Sequence, residues 1–194
     1  RQLSYYHSIK SKFGKEPYLD DCKGFSRRYC TTQLRISAHD LQVERGRYMN
    51  LPRNERTCSW CETCLGLKIT EDEQHALFDC DLYAIHRAKL ISNLNSLPTP
   101  EVNESQIPLQ NPTISISNLK SFLMSILSPY CSEQNEPLNN IHISHLPEIK
   151  PNTPAFNSLM KRRSYAINNV CTFLYKCSEE RNKFSESVRK SKLN

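Results

Sequence analysis

The chain has 194 residues, of which 38% are hydrophobic and 24% are charged, and it contains only four glycines. This composition argues against a barrel or a large sheet, and no apolar run reaches the roughly 18–20 residues that a membrane-spanning helix needs. Three of the nine cysteines crowd into one short motif, which is typical of a metal site in a reducing compartment rather than of a disulfide framework. We therefore predict an intracellular protein, in the nucleus or the cytoplasm, with one ordinary domain or two small ones.

Charge is distributed unevenly along the chain. Residues 1–60 carry 12 Lys and Arg against 6 Asp and Glu, residues 61–150 carry 5 against 11, and residues 151–194 carry 9 against 3. Two basic ends thus flank an acidic middle. Concentrated basic charge suits a polyanion, because each neutralised phosphate releases condensed counterions. The alternative is ordinary solubility charge on a helical protein, and composition leaves both open.

The first part of the chain is predicted to be helical with one irregular stretch. Residues 3–13 and 25–38 both place apolar side chains at helical spacing. In the second of these helices the stripe consists of Phe25, Tyr29, Thr32 and Ile36. The stretch 39–56 contains Gly46 and Pro52, which predict an irregular segment with at most a short extended piece.

Two further helices are predicted around residue 80. Thr70 is followed three residues later by Glu73, a capping-box pattern that begins a helix ending at about Phe78. Residues 82–94 form a second helical pattern, for which Asp81 is the candidate N-cap. The predicted apolar side of this helix consists of Leu82, Ile85, Leu90 and Leu94.

The remainder of the chain divides into a linker and a C-terminal helix. Nine of the eleven prolines lie between residues 98 and 154, which is linker composition, and one helical island interrupts it at 117–127. Residues 156–184 return to a helical pattern, and the basic tail 185–194 is expected to fray. The stripe of this helix consists of Ile167, Val170, Cys171, Leu174 and Cys177. The predicted parts are a helical module (1–95), a flexible linker (96–155) and a C-terminal helix with its tail (156–194).

The motif RTCSWCETC contains three cysteines that form two overlapping CxxC pairs. A short CxxC turn lets two thiolates reach one zinc ion, which needs four ligands in a tetrahedron. His75 and Cys80 complete such a set. Spacing alone permits two choices for the first pair, Cys58 with Cys61 or Cys61 with Cys64. On one continuous helix His75 and Cys80 would point about 140° apart, so we expect the helix to end between them.

Three stretches carry a resemblance to a known family. LRISAHDLQVERGRY (34–48), RNERTCSWC (53–61) and EDEQHALFDCDLY (71–83) are similar to the zinc-binding segment that follows the polymerase domain in non-LTR (LINE-type) retrotransposon reverse transcriptases. The resemblance covers most of residues 1–94 and, more weakly, 117–127 and 156–184. It implies the zinc ligands Cys58, Cys61, His75 and Cys80, with Cys64 as the spare cysteine.

Residues 18–21 read YLDD, which looks like the Tyr-x-Asp-Asp motif of a reverse transcriptase palm. Only seventeen residues precede it, too few for the fingers and the rest of the palm, and its flanks are polar. We therefore expect Asp20 and Asp21 to be solvated loop or cap residues and the chain not to be an enzyme. The predicted fold is mainly α: a small helical zinc-knuckle (CCHC) module, a Pro/Asn-rich linker and a C-terminal helix.

The expected function is nucleic-acid binding by a non-catalytic module. Four protein ligands leave no open position on the zinc ion, so its role is structural. Arginine binds phosphate through a planar fork, and the candidate contacts are Arg27, Arg28, Arg35, Arg45, Arg47, Arg53 and Arg56. Trp60 either stacks on an unpaired base or packs over the metal site. The resemblance implies RNA or DNA as partner and a reverse transcriptase domain in the same parent chain, with no membrane and no small-molecule substrate.

The alternative is a structural or protein-interaction module that packs against a polymerase domain or another protein. Its apolar stripes at 117–127 and 163–177 would then form the docking surface. Salt-sensitive binding of an oligonucleotide favours the first function, and salt-insensitive association with a protein favours the second.

Overall fold

The structure, a computed structural model, describes residues 17–96, Leu119 and residues 154–191. This part of the chain is mainly helical, which confirms the predicted fold class. Its helices are α1 (Pro17–Asp21), α2 (Phe25–Arg35), α3 (Gln42–Tyr48), α4 (Ala84–Asn95) and α5 (Pro154–Ser191). The predicted helix at 3–13, most of the island at 117–127 and most of the linker lie outside the described residues, so the three-part division stays a prediction.

The long helix α5 organises the described part of the fold, because α1, α2 and α4 all pack against it. Its inner face carries the stripe that the sequence predicts. The buried members of that stripe are Ile167, Val170, Cys171, Leu174 and Cys177. Removing their apolar surface from water holds the shorter helices on α5. The chain's own helices therefore cover this stripe, which is not available for docking a partner.

Helix α5 also extends beyond its predicted end. The tail was expected to fray, but the helix continues to Ser191. Just before this extension Lys183 pairs with Glu180 one turn away, and within it Arg189 and Lys190 lie in the last turn, where cations complement the helix dipole. In the described ranges no helix, α5 included, has the length and apolar character needed to cross a bilayer.

Helix α2 forms as predicted but buries a different face. The predicted stripe faces solvent, since Phe25 is 74% exposed and Tyr29 is 53% exposed. The buried residues of α2 are Thr31, Leu34 and Arg35. The guanidinium of Arg35 lies over the ring of Tyr18, 5.3 Å from the ring centroid. A flat cation with an apolar stem can be buried against an aromatic ring, so apolar spacing alone selects the wrong face.

The YLDD motif forms the short helix α1 rather than a hairpin. Tyr18 is buried, and its hydroxyl lies 2.9 Å from the Thr32 hydroxyl of α2. The side-chain amide of Asn168 on α5 donates to the carbonyl of Asp21. The motif thus joins α1 to α2 and α5.

The stretch predicted to be irregular contains helix α3, so the prediction for 39–56 is wrong in its centre. Gly46 lies inside this helix and is buried. A Cβ atom at this position would lie 2.5 Å from Cγ of Arg56. Because Gly46 has no side chain, Arg56 can pack closely against α3, and the glycine does not break the helix.

Helix α4 differs from its prediction at its start and on its faces. Asp81 begins a short 3₁₀ turn, Asp81–Tyr83, and Tyr83 occupies the N-cap position of α4. Ile85, predicted to face inward, is 81% exposed. The buried residues of α4 are Arg87, Leu90 and Leu94. A buried arginine occupies part of the face that an apolar pattern assigns to leucine and isoleucine.

Candidate metal centre

Four buried side chains bring their donor atoms to one point. The thiols of Cys58, Cys61 and Cys80 and the imidazole of His75 lie within 4.8 Å of one another. Sγ of Cys80 is 3.9 Å from each of the other two sulfur atoms, and Sγ of Cys61 is 3.3 Å from Nε2 of His75. A zinc ion bound to sulfur occupies a tetrahedron with edges of about 3.8 Å, given bonds of about 2.3 Å. The group could therefore hold one metal ion.

The same distances exclude disulfides within the group, and they show which of the cysteines belong to it. A disulfide needs about 2.05 Å between sulfur atoms, and all three cysteines are free. Cys64 is exposed and does not belong to the group. Of the two pairs that spacing permits, the structure thus brings Cys58 and Cys61 together with His75, as the resemblance implies.

A short stretch of antiparallel backbone pairing positions Cys58 and Cys61, the first two ligands. The amide of Cys58 donates to the carbonyl of Ile69 at 2.8 Å, and the amide of Glu71 donates to the carbonyl of Arg56 at 2.8 Å. These bonds flank an isolated antiparallel bridge between Thr57 and Thr70. Directly after it the chain enters a π-helical turn, Cys61–Leu65, which ends at Gly66 with a φ of 67°. A left-handed residue is the usual way to end such a turn, and glycine adopts it without strain.

The other two ligands lie at the two ends of one helical turn. The turn His75–Asp79 ends at Cys80, whose backbone is extended (φ −67°, ψ 125°). This confirms the expected break between His75 and Cys80. The capping prediction is wrong, because Asp72 rather than Thr70 accepts the amide hydrogen of His75, at 3.0 Å. Glu73 lies 3.0 Å from the imidazole of His39, which makes that histidine a structural residue.

Protons are distributed unevenly over the four members of the group, and a metal ion would compete with them at three of the ligands. Hydrogen bonding from Cys80 lowers the pKa of the Cys58 thiol to about 4. Burial and the neighbouring Cys58 charge raise the pKa of Cys61 to about 11, and the bond to Cys58 raises the pKa of Cys80. The bond to Cys58 also raises the pKa of His75. One thiolate is thus present beside two thiols, which release their protons when a cation binds.

Two charged residues that the sequence did not single out support the group. The buried guanidinium of Arg87 donates to the carbonyl of Cys80 at 2.7 Å, which fixes the backbone of that ligand. The buried carboxylate of Glu71 accepts two bonds from Arg181 on α5, at 3.0 and 2.8 Å. The same carboxylate accepts the amide hydrogen of Gln42 at 2.8 Å. Glu71 therefore connects the segment that carries the four candidate ligands (residues 58–80, called the metal segment) to both α3 and α5.

Three arginines predicted to contact nucleic acid are occupied within the fold. Arg35 is buried, with 1% of its surface exposed, so it cannot reach a ligand. Arg56 donates to the carbonyl of Leu51 from two nitrogens and to the carbonyl of Val43 from a third. Arg28 is half-buried and donates to the carbonyl of Cys22. The prediction for Arg35 is wrong, because its side chain is buried, whereas contact of the half-buried Arg56 with nucleic acid stays a prediction.

The other predicted contacts fall into two places. Arg45 and Arg47 lie on α3, which contacts the short turn that contains Arg53, while Arg27 lies half-buried on α2. Arg45 is exposed, and 66% of the Arg53 side chain is exposed although it pairs with Asp72. Three of the seven arginines thus lie on two elements that contact each other. Trp60 is partly buried and packs against the core, which favours the packing role over base stacking.

The chain was also compared with known proteins. No protein-family model matches it, and no curated protein and no solved structure gives a match. The function of the metal centre therefore has to be inferred from the donor atoms, from the charges around them and from the resemblance of the motifs.

Proposed function

We propose that the chain is a non-catalytic nucleic-acid-binding module of the kind found in the C-terminal region of non-LTR reverse transcriptases, with one structural zinc ion. The observation that carries this proposal is the group of four buried donor atoms within 4.8 Å. Three cysteine sulfur atoms and an imidazole nitrogen favour zinc over hard cations, which prefer oxygen ligands. With all four positions taken by protein, the ion has no open site for a water molecule or a substrate.

The zinc ion would have a structural role because it joins two separate segments. Cys58 precedes the first turn and Cys61 begins it, whereas His75 and Cys80 lie at the two ends of the second turn. Few apolar side chains hold the loop between the two pairs of ligands, since residues 62–69 are all exposed. In small closed sites the binding energy of zinc is folding energy, of the order of 10–16 kcal/mol.

Nucleic acid is the proposed partner, either RNA of the parent element or target DNA. The exposed cations Arg45 and Arg53, with Arg47 beside them, form a basic surface on α3 and the following turn. Surface cations of this kind bind phosphates and release counterions. The pairing of Arg53 with Asp72 is an exposed ion pair, worth about 0–1 kcal/mol, so a phosphate can replace the carboxylate.

The test measures affinity for labelled single-stranded RNA and DNA at several salt concentrations. The samples are the zinc-loaded chain, the chelated chain and the triple variant Arg45→Ala, Arg47→Ala, Arg53→Ala. We expect the triple variant to flatten the log–log salt dependence by about 2, since each phosphate contact on a single strand contributes about 0.7. A matched triple variant removes three exposed cations from α5, Lys176, Lys183 and Arg189. It should leave most of the slope intact. Three coincident lines for the first three samples contradict the proposal.

A specific observation favours a second function, the docking of a protein. Phe25 and Tyr29 stack on the exposed side of α2, with ring centroids 6.0 Å apart and an interplanar angle of 18°. Exposed aromatic pairs are typical of protein interfaces. If this function is correct, association with a polymerase domain or another protein should be insensitive to salt and should weaken in Phe25→Ala, while oligonucleotide binding should be unchanged.

A further inference from the structure

The end of α3 exposes two large side chains among the cations of the proposed surface. Tyr48 is 71% exposed and Met49 is 65% exposed. We call Arg45, Arg47, Tyr48, Met49 and Arg53 the α3 tip. These two side chains contribute little buried surface to the described fold and are accessible to a ligand.

The ring of Tyr48 is held in place by its neighbours. The guanidinium carbon of Arg47 lies 4.7 Å from the ring centroid, and NH2 of Arg47 donates to the Tyr48 hydroxyl at 3.1 Å. Arg47 is itself fixed by two bonds to the carboxylate of Glu44, at 3.0 and 2.7 Å. The cation therefore covers part of the ring in a defined position, while most of the ring remains in solvent. An aromatic ring that is already oriented loses little conformational entropy when a ligand stacks on it.

A cation-backed aromatic ring flanked by further arginines matches the chemistry of an unpaired nucleotide. Every base has a π-face that stacks on an aromatic side chain, and the adjacent phosphates need cations. A base inside a duplex is already stacked on both sides and offers no free face. Glu44, the acidic residue of α3, is 8% exposed and bonded to Arg47, so it does not repel phosphate strongly. The α3 tip thus fits a single strand better than a duplex.

We propose that Tyr48 stacks on an unpaired base of single-stranded nucleic acid while Arg45 and Arg53 contact the flanking phosphates. This inference rests on the proposed function and names its stacking residue. It assigns to Tyr48 the base stacking that the sequence suggested for Trp60. The side chain of Trp60 packs against the core, whereas that of Tyr48 projects into solvent.

The test uses the full, zinc-loaded chain with fluorescein-labelled oligo(U), oligo(dT) and a blunt DNA hairpin whose strands are joined by a non-nucleotide linker, so that it has no unpaired base. The variants are Tyr48→Ala, Tyr48→Leu, Tyr48→Phe and Arg45→Ala. Tyr165→Ala is the matched control, because Tyr165 is an exposed tyrosine on α5. Affinity is measured by anisotropy over a salt series, and the zinc content of each variant is measured in parallel.

Together the variants distinguish the contribution of stacking to affinity from that of charge. Tyr48→Ala and Tyr48→Leu should weaken binding of the single strands about 5- to 150-fold with an unchanged salt slope, because stacking is not an ionic interaction. Tyr48→Phe should keep the affinity, and hairpin binding should be unaffected by all three. Arg45→Ala should lower the single-strand salt slope by about 0.7. Tyr48→Leu keeps apolar bulk, so it reports on stacking even if the alanine variant folds poorly.

Several results would overturn the inference. If Tyr48→Ala and Tyr48→Leu bind single strands as well as Tyr165→Ala does, Tyr48 does not stack, although the proposed function stands. If the Tyr48 variants lose single-strand and hairpin binding equally, Tyr48 serves the fold or a general contact instead. If the zinc-loaded wild-type chain shows no salt-dependent binding of any of the three probes, the proposed function itself fails. Loss of a protein partner alone in Tyr48→Ala would assign the α3 tip to protein docking.

Discussion

The pairing of Glu71 with Arg181 gives the most direct test of how the metal segment is attached to the rest of the fold. The two residues are 110 positions apart, and their side chains are only 6% and 11% exposed. Replacing Glu71 by Gln keeps the shape of the side chain but removes the charge. The guanidinium of Arg181 then remains buried without a counterion, because α5 is fixed by its apolar stripe and cannot withdraw it.

The expected effect is large. Breaking a buried ion pair by removing one partner costs about 3–5 kcal/mol, because the remaining charge is not compensated. Glu71 also accepts the amide hydrogen of Gln42, so the start of α3 should loosen as well. The matched control is Glu179→Gln, which breaks an exposed pair with Lys176. That change should cost much less, because solvent screens an exposed ion pair.

The assay is urea unfolding of the zinc-loaded chain, followed by far-ultraviolet circular dichroism at fixed pH and salt. The free energy of unfolding of Glu71→Gln is compared with that of the wild type, of Glu179→Gln and of the double variant Glu71→Met, Arg181→Met. The double variant should recover much of the lost stability, because well-packed apolar residues can replace a buried ion pair. The reasoning is refuted if Glu71→Gln and Glu179→Gln destabilise the chain equally.

Three further predictions concern the metal centre and its support. Cys58→Ser should abolish stoichiometric zinc in elemental analysis while Cys64→Ser keeps it; the opposite result would show that the second CxxC pair binds the metal. Zinc titration near neutral pH should release at least one proton each from Cys61 and Cys80, because the pKa values of both thiols are raised. The affinity for zinc should therefore fall as the pH falls. Calorimetry in buffers of different ionisation enthalpy measures the number of protons released, and a value of zero contradicts the prediction. Gly46→Ala should destabilise the chain by about 1–3 kcal/mol in urea unfolding, because the new Cβ meets Arg56, although helix propensity alone predicts a gain of up to about 1 kcal/mol.

The features that the sequence predicts correctly are local or strongly periodic. The C-terminal helix follows from one long apolar stripe, and no alternative face competes with it. The break between His75 and Cys80 follows from the geometry of an α-helix, since both side chains must reach one ion. The choice of Cys58 over Cys64 did not follow from spacing. It followed from the resemblance, and the structure agrees with it.

The features that the sequence misses depend on contacts between distant residues. Gly46 looks like a helix breaker until the position of the Arg56 side chain is known. The partners of the arginines cannot be predicted from the sequence either. Arg56 donates to backbone carbonyls and Arg35 lies over an aromatic ring, and neither kind of partner shows in the charge pattern. On α2 the aromatic residues suggest a core face, whereas the buried side carries polar residues that find partners there. Periodicity reports which residues are apolar and not which of them are covered.

The metal centre and the α3 tip are connected through two residues, which explains how a structural ion can influence binding at a distance. Arg56 stands two positions before Cys58 and donates to the carbonyl of Val43 inside α3. Glu71 stands four positions before His75 and receives the amide of Gln42 at the start of α3. Both residues also pair with each other through their backbones beside the bridge. We expect release of the ion to loosen the segments that carry Arg56 and Glu71, and with them the two anchors of α3. The proposed basic surface would then depend on the metal, although none of its residues belongs to the group of four donors.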